Sequence, residues 1–459
     1  MPLFKNSFKN SPSNFRPISI LPSLSNIFDK IMLLQLTSFL NCNQLLYEKQ
    51  FGLTKSYRMI ALQKFGRIAI QQGGLTSLWL GPRYFVNADV AEVVLKTCLE
   101  KADIMDIAHE LFGNGSIFAP LKIWRPRRKV IAPTFSMKNL NQFVEVFSQQ
   151  SHILVEQLQR AVGKGTFSVW KYLTTYTMDS ICETALGVKV EAQRRPEQPF
   201  LDAFDKFSQM ASMIIVLPPF AQKGYKYLPI YNLYLKHIHC MWDFVDGVII
   251  NKKRPPQKTF LELFIESSGG KSGFTDLELR EETLVLLLAG TDTSAVGSAF
   301  ICLMLARHPD IQDKVYEEIK EVLGDSAGPI NAPDLLKLKY LEAVVKETLR
   351  LYPPIPVIVR KVENDFALRK YHIKGCRVAT TNRKTQHTSL MINIWAIHRN
   401  PVYWGEDAEQ FKPDRFIGSA QQHSAAFIPF SHGPRSCLGK VSIEALSKSL
   451  KATYLLNDQ

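Results

Sequence analysis

Residues 430–439 read FSHGPRSCLG and place a cysteine, an arginine and two glycines in one short stretch. The fixed positions Phe430, Gly433, Arg435, Cys437 and Gly439 make the pattern FxxGxRxCxG. At about 5% usage per residue type, chance yields such a pattern in roughly one of ten thousand chains of this size. The chemistry it suits is a thiolate metal ligand. A thiolate in an apolar pocket needs its negative charge stabilised. Glycines let backbone N–H groups approach the sulfur, and a loop running into a helix N-terminus adds a positive dipole end. Arg435 offers a cation for a carboxylate. A buried structural cysteine beside a loop arginine is the plain alternative, and the five-position pattern outweighs it.

Four further groups of residues could carry chemistry or hold it in place. Gly290 and Thr293 fall in residues 289–294, AGTDTS, in the middle of an apolar helical run. A mid-helix Gly costs about 1 kcal/mol relative to Ala, and Thr can bond its i−4 carbonyl and bend the helix. A simple kink would explain both. A local rule broken in a buried helix more often marks a site. Glu347 and Arg350 are i,i+3 neighbours, which alone is an ordinary surface pair. Arg415 lies in residues 411–416, FKPDRF. Trp124 and Arg128 have the spacing WxxxR, within a cluster that also holds Arg125, Arg127 and Lys129. By itself that cluster is a solvated basic face.

These residues need long helices and a little sheet to position them. Residues 73–88 hold two short strand-like runs around a Gly-Pro turn. Amphipathic spacing predicts helices at about 85–112, 137–163, 167–187, 196–214 and 231–252, with breaks at 218–220 and 252–258. Thr275 and Glu278 form a capping-box pattern. The helix it opens runs to Arg307, stopped by Pro309, and spans roughly 45 Å at 1.5 Å per residue. Its apolar stretch from Leu284 to Ala289 predicts burial.

Composition agrees with a large globular chain. The chain has 459 residues, 46% of them apolar and 21% charged, values that exclude wholesale disorder and fibrous repeats. Its seven cysteines include no CxxC, so neither a disulfide framework nor a zinc ribbon is indicated. The formal net charge is +14, which suits nucleic acid, an acidic membrane surface or an acidic protein partner. No Lys/Arg-rich tract concentrates it, which argues against nucleic acid. No run of 18 apolar residues suggests a membrane-spanning helix, and the N-terminus lacks the apolar core of a signal peptide.

FxxGxRxCxG resembles the haem-binding loop of cytochromes P-450, the haem-thiolate monooxygenases. The other groups resemble that family's signatures in the family's order: WxxxR, AGxDTT/S, ExxR followed by LYPP, and FxPxRF. The resemblance covers about residues 57–459. WRPRRKVIAPTF and AIHRNP are similar to the animal clan that includes fatty-acid hydroxylases, with an insect character. It implies a mainly α (α+β) fold, with a large helical domain, a small β region and haem between the long central helix and the cysteine loop. Cys437 becomes the axial ligand of haem b, with Phe430, Gly433, Arg435, Gly439, Trp124, Arg128 and Gly290 around the cofactor. Asp292 and Thr293 become the catalytic pair, and Glu347, Arg350 and Arg415 a structural network. Ala289 cannot esterify the haem as the Glu of some clan members does, so the haem is expected to be noncovalent. One oxygen atom of dioxygen would enter a lipophilic substrate: a fatty acid, hormone or xenobiotic. Electrons would come from NADPH through NADPH–cytochrome P-450 reductase, which docks on the thiolate side near the basic cluster, with cytochrome b5 as a second donor. The expected place is the cytosolic face of the endoplasmic reticulum (microsomal) membrane, with no nucleic-acid partner.

Three features depart from the family. Residues 5–53 resemble the start of a non-LTR retrotransposon reverse transcriptase, through Asn14, Arg16, Pro17, Ile18, Ser19, Leu24, Ser25, Phe28, Lys30, Ile31, Gln50, Phe51 and Gly52. Residues 1–56 are therefore read as a fused or artefactual leader in place of the usual apolar anchor, and membrane contact would be peripheral, through surfaces such as residues 212–220. Residues 377–389, RVATTNRKTQHTS, read as an insertion that would loop out of the sheet. The chain stops 22 residues after Cys437, so the family's last sheet segment is expected to be missing. These departures keep open a non-catalytic chimeric or pseudogene-derived chain that does not assemble the haem site.

Overall fold

The computed structural model describes residues 55–72, 75–80, 83–88, 91–101, 108–163, 165, 167–195, 197–215, 225–227, 229–250, 259–267, 273–324, 330–362, 366–368, 371–373, 388–418 and 425–456. The retrotransposon-like residues 5–53 lie outside the described residues, and so do residues 374–387, which hold most of the run read as an insertion.

Helices dominate. After α1 (Lys55–Gln71) come strands β1 (Leu75–Leu80) and β2 (Arg83–Ala88), then α2 (Ala91–Thr97), α3 (His109–Phe112) and α4 (Leu121–Ile131). The single helix expected over 85–112 is corrected to β2 followed by two short helices. Its apolar residues belong to a sheet first, and the sheet overrides their helical spacing. Next come α5 (Val144–Gln159), α6 (Trp170–Ile181), α7 (Pro199–Ile215) and α8 (Ile230–Ile250), close to the expected positions, and then α9 (Phe260–Ser267), which the sequence reading did not place. The long helix is α10 (Asp276–Arg307), followed by α11 (Pro309–Leu323) and α12 (Lys339–Leu351). Strands β3 (Val357–Lys361), β4 (Phe366–Leu368), β5 (Tyr371–Ile373) and β6 (Thr388–Asn393) precede the last helix, α13 (Lys440–Leu456).

α10 is the axis of the molecule. Its 32 residues span about 48 Å. The capping box forms as expected: Glu278 N–H donates to Thr275 Oγ1 at 3.3 Å, and Thr275 N–H donates to the Glu278 carboxylate at 2.9 Å. α6, α8, α12 and α13 all pack on α10. Leu284, Leu287, Leu288, Ala295 and Val296 are buried on several of its faces, so it is a core helix. Among the described residues it is also the one helix long and apolar enough to cross a membrane.

The main sheet has the order β1-β2-β6-β3, with β2 and β6 parallel and the other neighbours antiparallel. β4 and β5 form a separate antiparallel pair. Thr388 and Ser389, read as the end of the insertion, are strand residues: Thr388 pairs with Tyr84, and Ser389 with both Phe85 and Lys361. These two residues therefore do not loop out of the sheet. The register that buries Leu390, Met391 and Ile392 also brings the two preceding residues into the sheet.

Candidate functional site

Residues 430–439 form a tight loop that delivers Cys437 to the start of α13. Cys437 N–H donates to Phe430 O at 2.9 Å, which closes the loop. Gly433 has φ +74°, and a Cβ there would lie 2.7 Å from the Leu95 carbonyl oxygen of α2. Only glycine suits that position, on grounds of both space and dihedral angle. Ser431 also takes a left-handed conformation, φ 64°. At Gly439 a Cβ would sit 3.9 Å from Cys437 Sγ, an ordinary contact, so space alone does not demand glycine there.

Protein encloses Cys437 Sγ, and its accessible surface is the surface of a cavity. Burial pushes the thiol pKa up. The N–H of Gly439, the guanidinium of Arg128 and the N–H of Lys440 act in the opposite direction. The free thiol therefore keeps its proton. The groups that would stabilise a thiolate are in place around it, and they include the N-terminus of a 17-residue helix.

One cavity gathers most of the residues singled out from the sequence. Cys437, Arg435, Phe430, Gly439, Trp124, Arg128, Gly290 and Thr293 all line it. Gly433 does not, because it backs onto α2. Asp292 is buried one residue before Thr293, outside the cavity wall. Thr293 Oγ1 donates to Ala289 O at 2.7 Å, the back-bond expected of a mid-helix threonine. A Cβ on Gly290 would lie 3.0 Å from Ile181 Cδ1, so this glycine lets α6 approach α10 closely.

Two lining residues, Lys101 and Arg360, were missed from sequence. With Arg128 and Arg435 they give the cavity four cations. Arg435 stacks on Trp124, 4.4 Å from the ring centroid, and donates Nη2 to Ala119 O at 2.8 Å. Its Nε and Nη1, and Nε of Arg360, have no hydrogen-bond acceptor among the described residues. Burial lowers the Arg435 pKa to about 10, and burial together with Arg435 lowers that of Arg360 to about 10. Burial, Arg360 and Arg435 hold Lys101 well below the ordinary lysine range. Arg128 donates to Ser436 O at 2.8 Å. Desolvated cations with spare donors suit an anionic ligand edge. A thiol at one end and apolar walls complete a donor set that fits a haem with two carboxylates.

The basic cluster read as an exposed docking face is split. Arg125 and Lys129 are exposed. Arg127 is buried and donates to Glu278, Glu281 and Glu282 on α10 at 2.9–3.2 Å. Adjacent helical positions point about 100° apart, so Arg127 meets α10 while Arg128 meets the cysteine loop.

Glu347 and Arg350 are fully buried, 0% exposed each. Arg350 Nε and Nη2 fork onto both Glu347 oxygens at 2.6 and 2.8 Å. Arg415 Nε donates to Glu347 at 3.1 Å. Arg350 also donates to the carbonyls of His398, Ala408 and Gln410, tying α12 to the segment ahead of the cysteine loop. His398 Nε2 accepts Ile428 N–H at 2.8 Å, which assigns the proton to Nδ1, facing Arg350 O at 2.9 Å.

Comparison with known proteins agrees with this arrangement. The sequence model of the family described as Cytochrome P450 matches residues 49–441. "Cytochrome P450 4c21" of Blattella germanica is 30% identical over 406 residues, covering 83% of this chain and 78% of that protein. "Cytochrome P450 4d8" of Drosophila melanogaster is 30% identical over 414 residues, covering 82% and 86%. "Cytochrome P450 4V2" of Homo sapiens is 30% identical over 403 residues, covering 80% and 73%.

Proposed function

The chain belongs to the cytochrome P450 family and is a monooxygenase of that family, and from this premise we propose that Cys437 is the thiolate that holds its haem b. The observation that carries the reading is Cys437 Sγ at the N-terminus of α13, in a cavity with four cations and otherwise largely apolar walls. Arg128, Arg360, Arg435 and Lys101 would hold the propionates, with Trp124 supporting Arg435. Glu347, Arg350 and Arg415 hold the loop in place from behind. When bound, the haem supplies dioxygen activation and transfer of one oxygen atom to a substrate carbon. Thr293 keeps a hydroxyl proton at the cavity wall, with Ala289 O as its resting acceptor. Asp292, buried beside it, is the proposed proton reservoir. Gly290 keeps the wall of α10 free of side chain.

The substrate in this reading is lipophilic, because most of the side chains lining the cavity are aliphatic or aromatic. Electrons come from NADPH through a separate flavoprotein reductase, with cytochrome b5 as a second donor. The exposed Lys122, Arg125 and Lys129 of α4 and the +14 net charge suit an acidic partner. Peripheral contact with the endoplasmic reticulum membrane is proposed through the α7–α8 region, where Tyr227, Ile230 and Leu233 are exposed. The test is turnover with NADPH, reductase and isotope-labelled dioxygen. One labelled oxygen atom in the product, lost in Cys437→Ala, is expected. Turnover that survives the loss of Cys437 would overturn the assignment.

A further inference from the structure

The four cations that line the cavity come from four separate segments. Lys101 follows α2, Arg128 lies on α4, Arg360 on β3 and Arg435 in the cysteine loop. Like charges gathered in a poorly solvated wall repel one another, so the surrounding structure must hold them together. Glu100 is linked to all four. It is half-buried and directly precedes Lys101. Its carbonyl oxygen accepts Lys361 N–H at 3.0 Å, and Lys101 forms an antiparallel bridge with Arg360. Its carboxylate accepts Leu121 N–H, the first of α4, at 2.8 Å. Its negative charge also acts favourably on Arg435.

α4 has no cap of its own. The residue before it is Pro120, whose side chain cannot accept a hydrogen bond, and its first turn holds no acidic residue. Ile123 N–H and Trp124 N–H find Pro120 O at 3.0 and 2.8 Å. Leu121 N–H finds the Glu100 carboxylate, 21 residues earlier in the chain. Glu100 thus supplies from a distance the acceptor and the negative charge that a local cap would supply. The segment it fixes is the one that holds Arg435. Arg435 Nη2 donates to Ala119 O at 2.8 Å, two residues before Leu121. Its guanidinium stacks on Trp124, three residues after Leu121. Arg128, one turn beyond Trp124, donates to Ser436 O. The start of α4 therefore sets where both arginines meet the cysteine loop.

We propose that Glu100 is a positioning residue for the haem carboxylates: it caps α4, ties α4 to β3 and offsets part of the repulsion among the four cations. It lies outside the cavity wall and acts through Lys101, Arg128, Arg360 and Arg435. The proposal rests on the haem assignment above and deepens it.

The test measures two properties of the haem-loaded protein: the rate of haem transfer to excess apomyoglobin, and the ferric/ferrous midpoint potential. It compares wild type, Glu100→Ala, which removes acceptor and charge, and Glu100→Gln, which keeps an acceptor and removes the charge. Asn331→Ala is the control, since it deletes a helix cap at a residue that does not line the cavity. Glu100→Ala is expected to lose haem about fivefold faster than wild type, the scale of one helix cap. Glu100→Gln should restore retention, and Asn331→Ala should leave it unchanged. Both Glu100 variants should have a more positive potential, because a nearby negative charge opposes addition of an electron. Wild-type retention in Glu100→Ala overturns the proposal. So does equally fast loss in Asn331→Ala, which would mark a general loss of stability, or loss in Glu100→Gln as fast as in Glu100→Ala. An unchanged potential in Glu100→Gln also overturns it, and decides the point if Glu100→Ala does not fold. A wild type that holds haem without the thiolate-type carbon-monoxide band would count against Cys437 and leave both readouts intact.

Discussion

Glu347 accepts hydrogen bonds from Arg350, Arg415 and the N–H of Lys412, and Glu347 and Arg350 are fully buried, beyond the reach of water that could replace a lost partner. Removing one member of a buried ion pair strands the other, at a cost of about 3–5 kcal/mol. Glu347→Gln should therefore lower the urea midpoint sharply and abolish haem retention; a midpoint near that of wild type would show that the network contributes little. Gly433→Ala forces a Cβ to within 2.7 Å of a backbone oxygen at a positive φ, with an expected loss of about 1–3 kcal/mol. Differential scanning calorimetry should show a lower Tm, and an unchanged Tm would mean that α2 yields easily. Residues such as these were legible in the sequence because their spacing within one segment is itself the signal. Lys101 and Arg360 were not, since each reaches the cavity alone from a distant segment and carries no spacing to read. Arg127 was misjudged because a run of charges does not say which member turns inward.

α12 and the loop after β6 are locked together through His398, which is fully enclosed and bonded at both ring nitrogens. Burial lowers its pKa to about 3, against about 6.5 in an unfolded chain. Above pH 6.5 both states are neutral and the group adds no pH dependence. Below that only the unfolded chain takes up the proton, so stability falls as pH falls toward 3, by roughly 2 kcal/mol at pH 5. Urea midpoints at pH 7 and pH 5 should show the drop, and a His398→Gln chain that folds should show less of it. At the start of α10, Thr275→Ala removes a side-chain acceptor from the capping box at an expected cost of about 1 kcal/mol; an unchanged midpoint would mean that water replaces the cap without loss. The long helices could be read from the sequence because their apolar period persists over many turns. The 85–112 stretch could not, because β2 is fixed by its partners β1 and β6, and β6 lies about 300 residues further along the chain.

Across the whole molecule, α10 runs past a cavity that brings Cys437 together with Lys101, Arg128, Arg360 and Arg435 and with largely apolar walls. The long core helix, the small mixed sheet and the cysteine loop at the N-terminus of α13 together build that cavity, and no single motif encodes it. The central claim is that Cys437 binds haem iron as a thiolate within this fold. The carbon-monoxide difference spectrum of the reduced, haem-loaded protein tests it most directly. The account predicts the red-shifted Soret band of thiolate-ligated haem, and its loss in Cys437→Ala while circular dichroism stays helical. A band typical of a neutral ligand in wild type, or a red-shifted band that survives Cys437→Ala, would contradict it.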